Sequence, residues 1–106
     1  MGLIGIEWDE DKNKKNKQEH SGLGFEDAQY VFLDPERIER LDRSATNTSN
    51  EERWQTIGKV GKLYFVVYTE RGNNKRIITA RQADKSERRS YNGYYQIDDK
   101  GWTKTT

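Results

Sequence analysis

The chain has 106 residues, which is the length of one domain. It contains no Cys, which excludes disulfides, thiolate metal sites and a catalytic thiol. Its 19 basic and 18 acidic side chains give a formal net charge of +1, and three Trp and six Tyr supply large buried surface, which argues against a disordered chain. No stretch approaches the roughly 20 apolar residues of a membrane span, and acidic residues directly follow the short apolar start, unlike in a signal peptide, so we expect a cytoplasmic protein.

The first 22 residues predict one strand, followed by a polar segment for which the sequence allows two conformations. Gly5 to Trp8 is typical of a short strand. Residues 9–22 contain no apolar side chain, although 12–19 contain no helix breaker either. Because a helix without an apolar stripe gains little from packing, this segment is either an exposed helix or a mobile arm.

A second helix and a short strand follow. Apolar side chains recur at helical spacing at Phe25, Ala28, Val31 and Phe32. Asp34-Pro35 ends this helix, because the residue before Pro is pushed out of the α region. Residues 38–41 favour a strand, and 43–50, rich in Ser, Thr and Asn, favour a loop.

The middle of the chain predicts three strands joined by short turns that contain Gly. The strands are 53–57, 63–68 and 76–81, and the turns are 58–61 and 72–74. The second strand is a continuous β-branched and aromatic run, which is typical of a fully buried central strand. Connections this short predict an antiparallel meander.

The C-terminal third predicts a last helix and a tail. Asp84 caps the helix, with Glu87 three residues later as its capping-box partner. We expect one domain over 1–91 and a partly ordered tail over 92–106. The fold class is therefore α+β: an antiparallel meander flanked by N-terminal helices and one C-terminal helix.

A basic block lies in this same third. Between Arg71 and Tyr91 there are seven Lys or Arg residues against two acidic ones, which suits an anionic partner. Strand alternation places Ile78 and Ala80 on a core face and Arg81 on the opposite one. With Arg88 and Tyr91 at i, i+3 on the helix, Arg81 then forms a cradle for one phosphate.

The alternatives to catalytic roles stay open. Arg81 could instead pair with Glu87 or Glu70, leaving Tyr91 to pack. His20, the only histidine, suits a general acid or base in RNA cleavage, or is a helix C-terminal residue that interacts with the dipole. Acidic pairs lie in separate segments, so we predict no metal site and no cofactor.

The order of short motifs carries a family resemblance from about Ile6 to Tyr91. The motifs are Glu7-Trp8-Asp9, Lys12, Asn16, His20, Phe25-Glu26-Asp27-Ala28, Asp34-Pro35, Ile57-Gly58, Val66-Val67-Tyr68-Thr69, Arg71-Gly72, Arg76-Ile77-Ile78-Thr79-Ala80-Arg81, Glu87 and Tyr91. This pattern closely resembles the BrnT family of toxins from bacterial type II toxin–antitoxin pairs. The chain departs from it at Glu19, where Lys is common, at Gly24, where a small hydroxylated cap is usual, and in one extra residue between His20 and Phe25.

The resemblance implies a RelE-like ribonuclease fold and metal-independent RNA cleavage that halts translation. It also implies neutralisation by a ribbon-helix-helix antitoxin resembling BrnA, in a complex that represses its own promoter, so that DNA is contacted only through the antitoxin. The matching positions are Lys12, His20, Arg71, Arg76, Arg81 and Tyr91.

Two hypotheses follow. In the first, the chain is an endoribonuclease: Arg81 with Arg71 or Arg76 stabilises the phosphorane charge, and Tyr91 and His20 transfer protons. The backbone-binding residues are then Lys12, Lys15, Arg76 and Arg88, and Trp54 or Tyr94 offers a stacking surface. In the second, the same basic surface is a non-catalytic module that docks an antitoxin or nucleic acid.

Overall fold

The computed structural model describes residues 2–44, 51–94 and 100–105. In chain order its elements are strand β1 (Ile6–Trp8), helix α1 (Glu10–Glu19), helix α2 (Phe25–Ala28), a 3₁₀ helix (Gln29–Leu33), strands β2 (Ile38–Leu41), β3 (Arg53–Val60), β4 (Lys62–Arg71) and β5 (Asn74–Gln82), helix α3 (Lys85–Arg89), a π-helical turn (Ser90–Tyr94) and strand β6 (Thr103–Lys104). Within the described ranges, no helix is long and apolar enough to cross a membrane.

One six-stranded sheet forms the centre of the molecule, in the order β1-β5-β4-β3-β2-β6. The predicted meander is confirmed, since β3, β4 and β5 pair antiparallel in succession. Strand β2 is antiparallel to β3 and to β6, whereas β1 is parallel to β5. The α+β class with a mostly antiparallel sheet is therefore confirmed.

The turn predicted over 58–61 is wrong, because β3 continues through Gly58 to Val60. Of these four residues, only Gly61 occupies the left-handed region, with φ of +71°, and this conformation lets Val60 pair with Lys62. Gly58 serves packing instead. A Cβ at Gly58 would lie 2.7 Å from Cβ of Val31, so glycine lets the 3₁₀ helix approach β3 closely.

Each face of the sheet carries its own apolar cluster. Phe25, Ala28 and Val31 from α2 and the 3₁₀ helix pack on Val66, Ile77 and Ala80 to form the first cluster. Phe65 and Val67 alternate with Val66 along β4 and therefore face the other side. There they join Ile38, Ile57, Ala83 and Trp102 in the second cluster.

A β-bulge in β5 overturns the predicted strand faces. Thr79 pairs with Val67 but Ile77 pairs with Tyr68, so Ile78 is an extra residue in the ladder. Ile77 and Ala80 consequently share the first cluster, whereas Ile78 packs on the second. The prediction that Ile78 and Ala80 share a core face is therefore wrong, whereas Arg81 lies opposite Ala80 as predicted, over Phe65 of the second cluster.

Helix α1 is held by polar groups instead of an apolar stripe, which decides between the two conformations left open for residues 9–22. Asn13 and Asn16 are almost fully buried, one turn apart on the same side. The Asn16 amide binds both backbone groups of Ala80, accepting from its N–H at 3.1 Å and donating to its carbonyl at 2.9 Å. It thereby satisfies the edge of β5 where β1 no longer pairs.

Asn13 caps the next helix from a distance. Its Oδ1 accepts the backbone N–H of Phe25 at 2.8 Å, and its amide donates to Glu26 at 3.0 Å. Gly24, at the N-cap of α2, has no side chain for this purpose. The Asn13 side chain therefore replaces the cap that Gly24 lacks and ties α1 to α2.

The predicted tail over 92–106 includes residues 95–99 and 106, which lie outside the described residues. In the described part, Trp102 is 5% exposed within the second cluster and Thr103–Lys104 form β6 on the edge of the sheet. The predicted boundary at 91 falls inside the π-helical turn, and the division into domain and tail stays a prediction.

Candidate functional site

A cleft of about 550 Å³ lies at the C-terminal end of α1. It lies where α1 ends beside the start of β4 and the end of β5. Its walls are formed by Glu19, His20, Ser21, Gly22, Leu23, Asp27, Lys62, Tyr64, Arg81 and Gln82. The cleft therefore brings together two of the residues predicted as catalytic, His20 and Arg81.

Local helix geometry places His20 on this wall. It is the C-cap of α1, and its backbone N–H donates to the Asn16 carbonyl at 2.9 Å. Ser21 and Gly22 follow in the left-handed region, and the Gly22 N–H returns to the Lys17 carbonyl at 2.8 Å. His20 is thus the helix C-terminal residue that one of the two sequence-based interpretations described, and its half-buried side chain also lines the cleft.

Arg81 is fixed by a carboxylate and an aromatic ring. Its Nη1 and Nη2 donate to the two oxygens of Glu87 at 2.7 and 2.8 Å, and Nη1 also donates to the Gln82 carbonyl at 3.3 Å. The guanidinium lies over Phe65, 4.1 Å from the ring centroid. The hydrogen bonds that Arg81 donates to Glu87 raise the pKa of Arg81 above its usual value, against the effect of burial.

The bonds to Glu87 and Gln82 leave part of this guanidinium available. Arginine has five N–H donors, and these contacts use two on Nη1 and one on Nη2. The Nε proton and one Nη2 proton form no hydrogen bond with the described residues. Glu87 itself is 8% exposed and completes the capping box with Asp84, so the pair is rigidly attached to α3.

Two further groups of the cleft were not predicted from the sequence. Lys62 is exposed and forms no ion pair with any described residue, and Tyr64 adds a half-buried phenol. The register of β4 against β5 pairs Tyr64 with Gln82, which puts both beside Arg81. A tight turn placed at Gly61, together with the resulting strand register, could have located Lys62 and Tyr64 beside Arg81 from the sequence.

A smaller side hollow of about 270 Å³ adjoins the cleft. It is lined by Lys12, Lys15, Asn16, Glu19, Arg53, Ile78 and Thr79. Glu19 belongs to both concavities and forms the ridge between them. Lys12 and Lys15, predicted to bind RNA, are exposed there, beside the half-buried Arg53, and none of the three is ion-paired to a described residue.

Arg71 and Arg76, also predicted for the site, lie elsewhere. Both belong to the opposite end of the β4–β5 hairpin, and at about 3.3 Å per residue Arg76 is roughly 16 Å along the strand from Arg81. Arg76 pairs with Glu7 at 2.6 Å and Arg71 with Glu51 at 2.8 Å. Their side chains therefore do not line the cleft.

The predicted phosphate cradle of Arg81, Arg88 and Tyr91 is not formed. The Tyr91 hydroxyl donates to Asp34 Oδ2 at 2.6 Å, and Arg88 donates to the Ala83 carbonyl at 2.8 Å. Burial and the hydrogen bond to Asp34 raise the pKa of Tyr91, which disfavours proton release. The arrangement left open as the alternative, with Arg81 bound by Glu87, is the one observed.

Trp54, one of the two predicted stacking residues, does not line this cleft. Trp54 lines an acidic hollow with Glu51, Glu52 and Glu70, and the side chain of Tyr94 lies outside the described residues. Over the part of the chain that the structure describes, His and acidic side chains form no group of three or more that could hold a metal ion.

Comparison with known proteins decides the family. Residues 8–87 match the family model described as "Ribonuclease toxin, BrnT, of type II toxin-antitoxin system". The chain belongs to the BrnT family. The match includes α1, the meander and Glu87, and therefore all of the cleft-lining side chains.

A solved structure agrees with the fold of this BrnT-family protein. The 1.1 Å crystal structure of the Brucella abortus ribonuclease toxin BrnT superposes with a TM-score of 0.54 at 24% sequence identity. The alignment covers 80% of this chain and 99% of the Brucella chain. A comparison with curated proteins gives no significant match.

Proposed function

We propose that this BrnT-family protein is the toxin of a type II toxin–antitoxin pair and that it cleaves RNA in the cleft at the end of α1. The observation that carries the proposal is the placement of His20, Arg81, Lys62 and Tyr64 around one cleft inside the family-matched region. Cleavage by these groups uses no metal ion and stops translation by destroying the RNA. Kinship with the RelE-like ribonucleases belongs to the same proposal.

RNA cleavage needs a group that removes a proton, a group that donates one and a cation that stabilises negative charge, and the cleft can supply all three. The ribose 2′-hydroxyl loses its proton and attacks the adjacent phosphorus, and the bond to the 5′-oxygen breaks. The products are a 2′,3′-cyclic phosphate and a 5′-hydroxyl, which receives a proton. His20 and the Tyr64 hydroxyl serve proton transfer, and Arg81 with Lys62 stabilises the charge that develops on the phosphate.

Glu87 supports this mechanism by orienting Arg81. A guanidinium held by two parallel bonds of 2.7 and 2.8 Å has lost most of its rotamer freedom before RNA binds. Preorganised donors need little reorganisation during the reaction. The pair is therefore compatible with a role of Arg81 in phosphate binding through its remaining N–H groups.

The side hollow extends the proposed RNA path. Lys12, Lys15 and Arg53 lie across the Glu19 ridge from the cleft, so a single strand entering the cleft can place a neighbouring phosphate there. A ribbon-helix-helix antitoxin that covers this basic side would block RNA entry. In that complex the antitoxin contacts DNA, and the pair acts in the cytoplasm.

A second candidate function is a non-catalytic module that docks an antitoxin or nucleic acid. The observation that favours it is the pairing of all three arginines of the resemblance: Arg71 with Glu51, Arg76 with Glu7 and Arg81 with Glu87. Cations already neutralised by carboxylates contribute less to charge stabilisation in a reaction.

The experiment that separates the two functions uses purified protein, single-stranded RNA and EDTA. We expect wild-type protein to cleave and His20→Ala to cleave at least about 100-fold more slowly, the usual size of a lost proton-transfer group. Gln18→Ala, an exposed change two residues earlier on α1, is the matched control and keeps full activity. RNA that stays intact but bound with a steep salt dependence supports the module instead.

A further inference from the structure

The segment Lys100–Thr105 lies beyond the family match, which ends at residue 87, yet it is packed onto the sheet. Its strand β6 extends the sheet at the edge of β2. Its Trp102 is 5% exposed and belongs to the second cluster with Phe65 and Ala83. Phe65 is the ring on which Arg81 lies, and Ala83 stands two residues after Arg81. Trp102 therefore belongs to the same apolar cluster as the ring that supports a cleft residue.

Arg40 contacts Trp102 and the backbone of Lys100, and the negative charge of Glu87 acts on it. The Arg40 guanidinium lies 4.1 Å from the centroid of the Trp102 ring, and its Nη1 donates to the Lys100 carbonyl at 2.7 Å. Burial lowers the pKa of Arg40, whereas the nearby negative charge of Glu87 raises it. Arg40 and Arg81 thus share the electrostatic field of one carboxylate.

The segment also contacts helix α3 directly. Lys100 Nζ donates to Ser86 Oγ at 2.9 Å, and Ser86 immediately precedes Glu87. The segment consequently contacts the Arg40 cation and the first turn of α3, and it shares the second cluster with Phe65. These contacts join residues that lie from 14 (Ser86 and Lys100) to 60 (Arg40 and Lys100) positions apart in the chain, so they exist only while the segment is docked.

We propose that Trp102 is a positioning residue that fixes Arg81 in the cleft through Phe65, Arg40 and Glu87, so that the C-terminal segment tunes binding of an RNA phosphate. The proposal rests on the proposed function only in taking RNA as the ligand. Trp102 does not line the cleft and acts entirely through the groups that hold Arg81.

The test is a double-mutant cycle on RNA binding. The probe is a fluorescent single-stranded RNA with 2′-O-methyl groups, which cannot be cleaved because the attacking hydroxyl is blocked. We expect Trp102→Ala to weaken binding by about 3-fold or more, as for coupled residues in one network. Trp102→Phe restores the affinity, and Lys104→Ala, a change on β6 outside the cluster, leaves it unaltered.

The cycle partner is Arg81→Gln/Glu87→Gln, which removes both charges and keeps two groups able to hydrogen-bond. In that background Trp102→Ala has no further effect on binding if it acts through Arg81. Independent effects that multiply, or full affinity in Trp102→Ala, overturn the proposal. If circular dichroism shows that Trp102→Ala does not fold, Arg40→Met takes its place in the same cycle, with the same two outcomes.

Failure of the ribonuclease proposal is recognised separately. Wild-type protein that leaves unmodified RNA intact ends that proposal without altering the binding cycle. A multiplicative cycle in a protein that cleaves RNA ends only the positioning role of Trp102.

Discussion

Asn16 shows how a single polar side chain fixes an element that has no apolar face. Its amide binds the N–H and the carbonyl of Ala80, which β1 is too short to reach. From the sequence, Asn13 and Asn16 read as two more polar residues of a polar segment. Their partners at Phe25 and Ala80 are set by the tertiary fold, so no local pattern could reveal them.

Replacing Asn16 tests this account of α1. Asn16→Ala leaves two buried backbone groups of Ala80 without partners, each costing about 1–3 kcal/mol. We expect a melting temperature lower by about 10 °C or more for a domain of this size. Lys14→Ala, an exposed change on the same helix, is the control and shifts it little. Equal melting temperatures for both variants would contradict the anchoring role of Asn16.

Glu19 is the acidic ridge between two basic concavities. A carboxylate there repels any phosphate that passes from the side hollow to the cleft. Glu19→Lys changes the local charge by two units at an exposed position, so we expect RNA affinity to rise by about 3- to 10-fold at low salt. Glu70→Lys makes the same charge change at the far end of β4 and serves as control. Equal gains for the two variants would place RNA elsewhere.

Features that depend on local residue spacing could be predicted from the sequence. Features that depend on contacts between distant parts of the chain could not. The capping box of Asp84 and Glu87 follows from spacing alone and is confirmed. Strand alternation, by contrast, failed in β5, because nothing local marks the bulge at Ile78. The faces of Ile77 and Ile78 therefore had to come from the structure, whereas Arg81 lies opposite Ala80 as alternation predicted.

Asp34 joins three elements near the β3–β4 hairpin turn. Its carboxylate accepts the hydroxyl of Tyr91 at 2.6 Å and the backbone N–H groups of Glu36 and Lys59 at 2.9 and 2.8 Å. Burial opposes ionisation of Asp34, but these hydrogen bonds outweigh it and lower its pKa. The turn after the 3₁₀ helix, β3 and the π-helical turn are thereby held together.

The lowered pKa of Asp34 predicts the direction of a pH effect. A carboxylate whose pKa is lower in the folded state stabilises the fold above its unfolded value of about 4, and this contribution is lost as pH falls through the folded pKa. The stability difference between wild type and Asp34→Asn should therefore shrink between about pH 6 and pH 3. Chemical denaturation at both pH values measures it. A constant difference would show that the charge of Asp34 contributes nothing.

At the scale of the whole molecule, the sequence sufficed for the meander and for the family. Short Gly-containing connections predicted β3, β4 and β5, and the order of motifs predicted the BrnT match over residues 8–87. Which cations meet at one cleft depends instead on the tertiary arrangement. The end of α1 brings His20 to Arg81 and Lys62, while Arg71 and Arg76 remain at the other end of the sheet.

The most direct measurement of the central claim is the chemistry of the RNA ends produced in EDTA. Attack by the ribose 2′-hydroxyl at this cleft predicts 2′,3′-cyclic phosphate and 5′-hydroxyl ends, identified by mass spectrometry, and no product from RNA with 2′-O-methyl groups. Fragments with 3′-hydroxyl and 5′-phosphate ends, or cleavage that stops in EDTA, would contradict it.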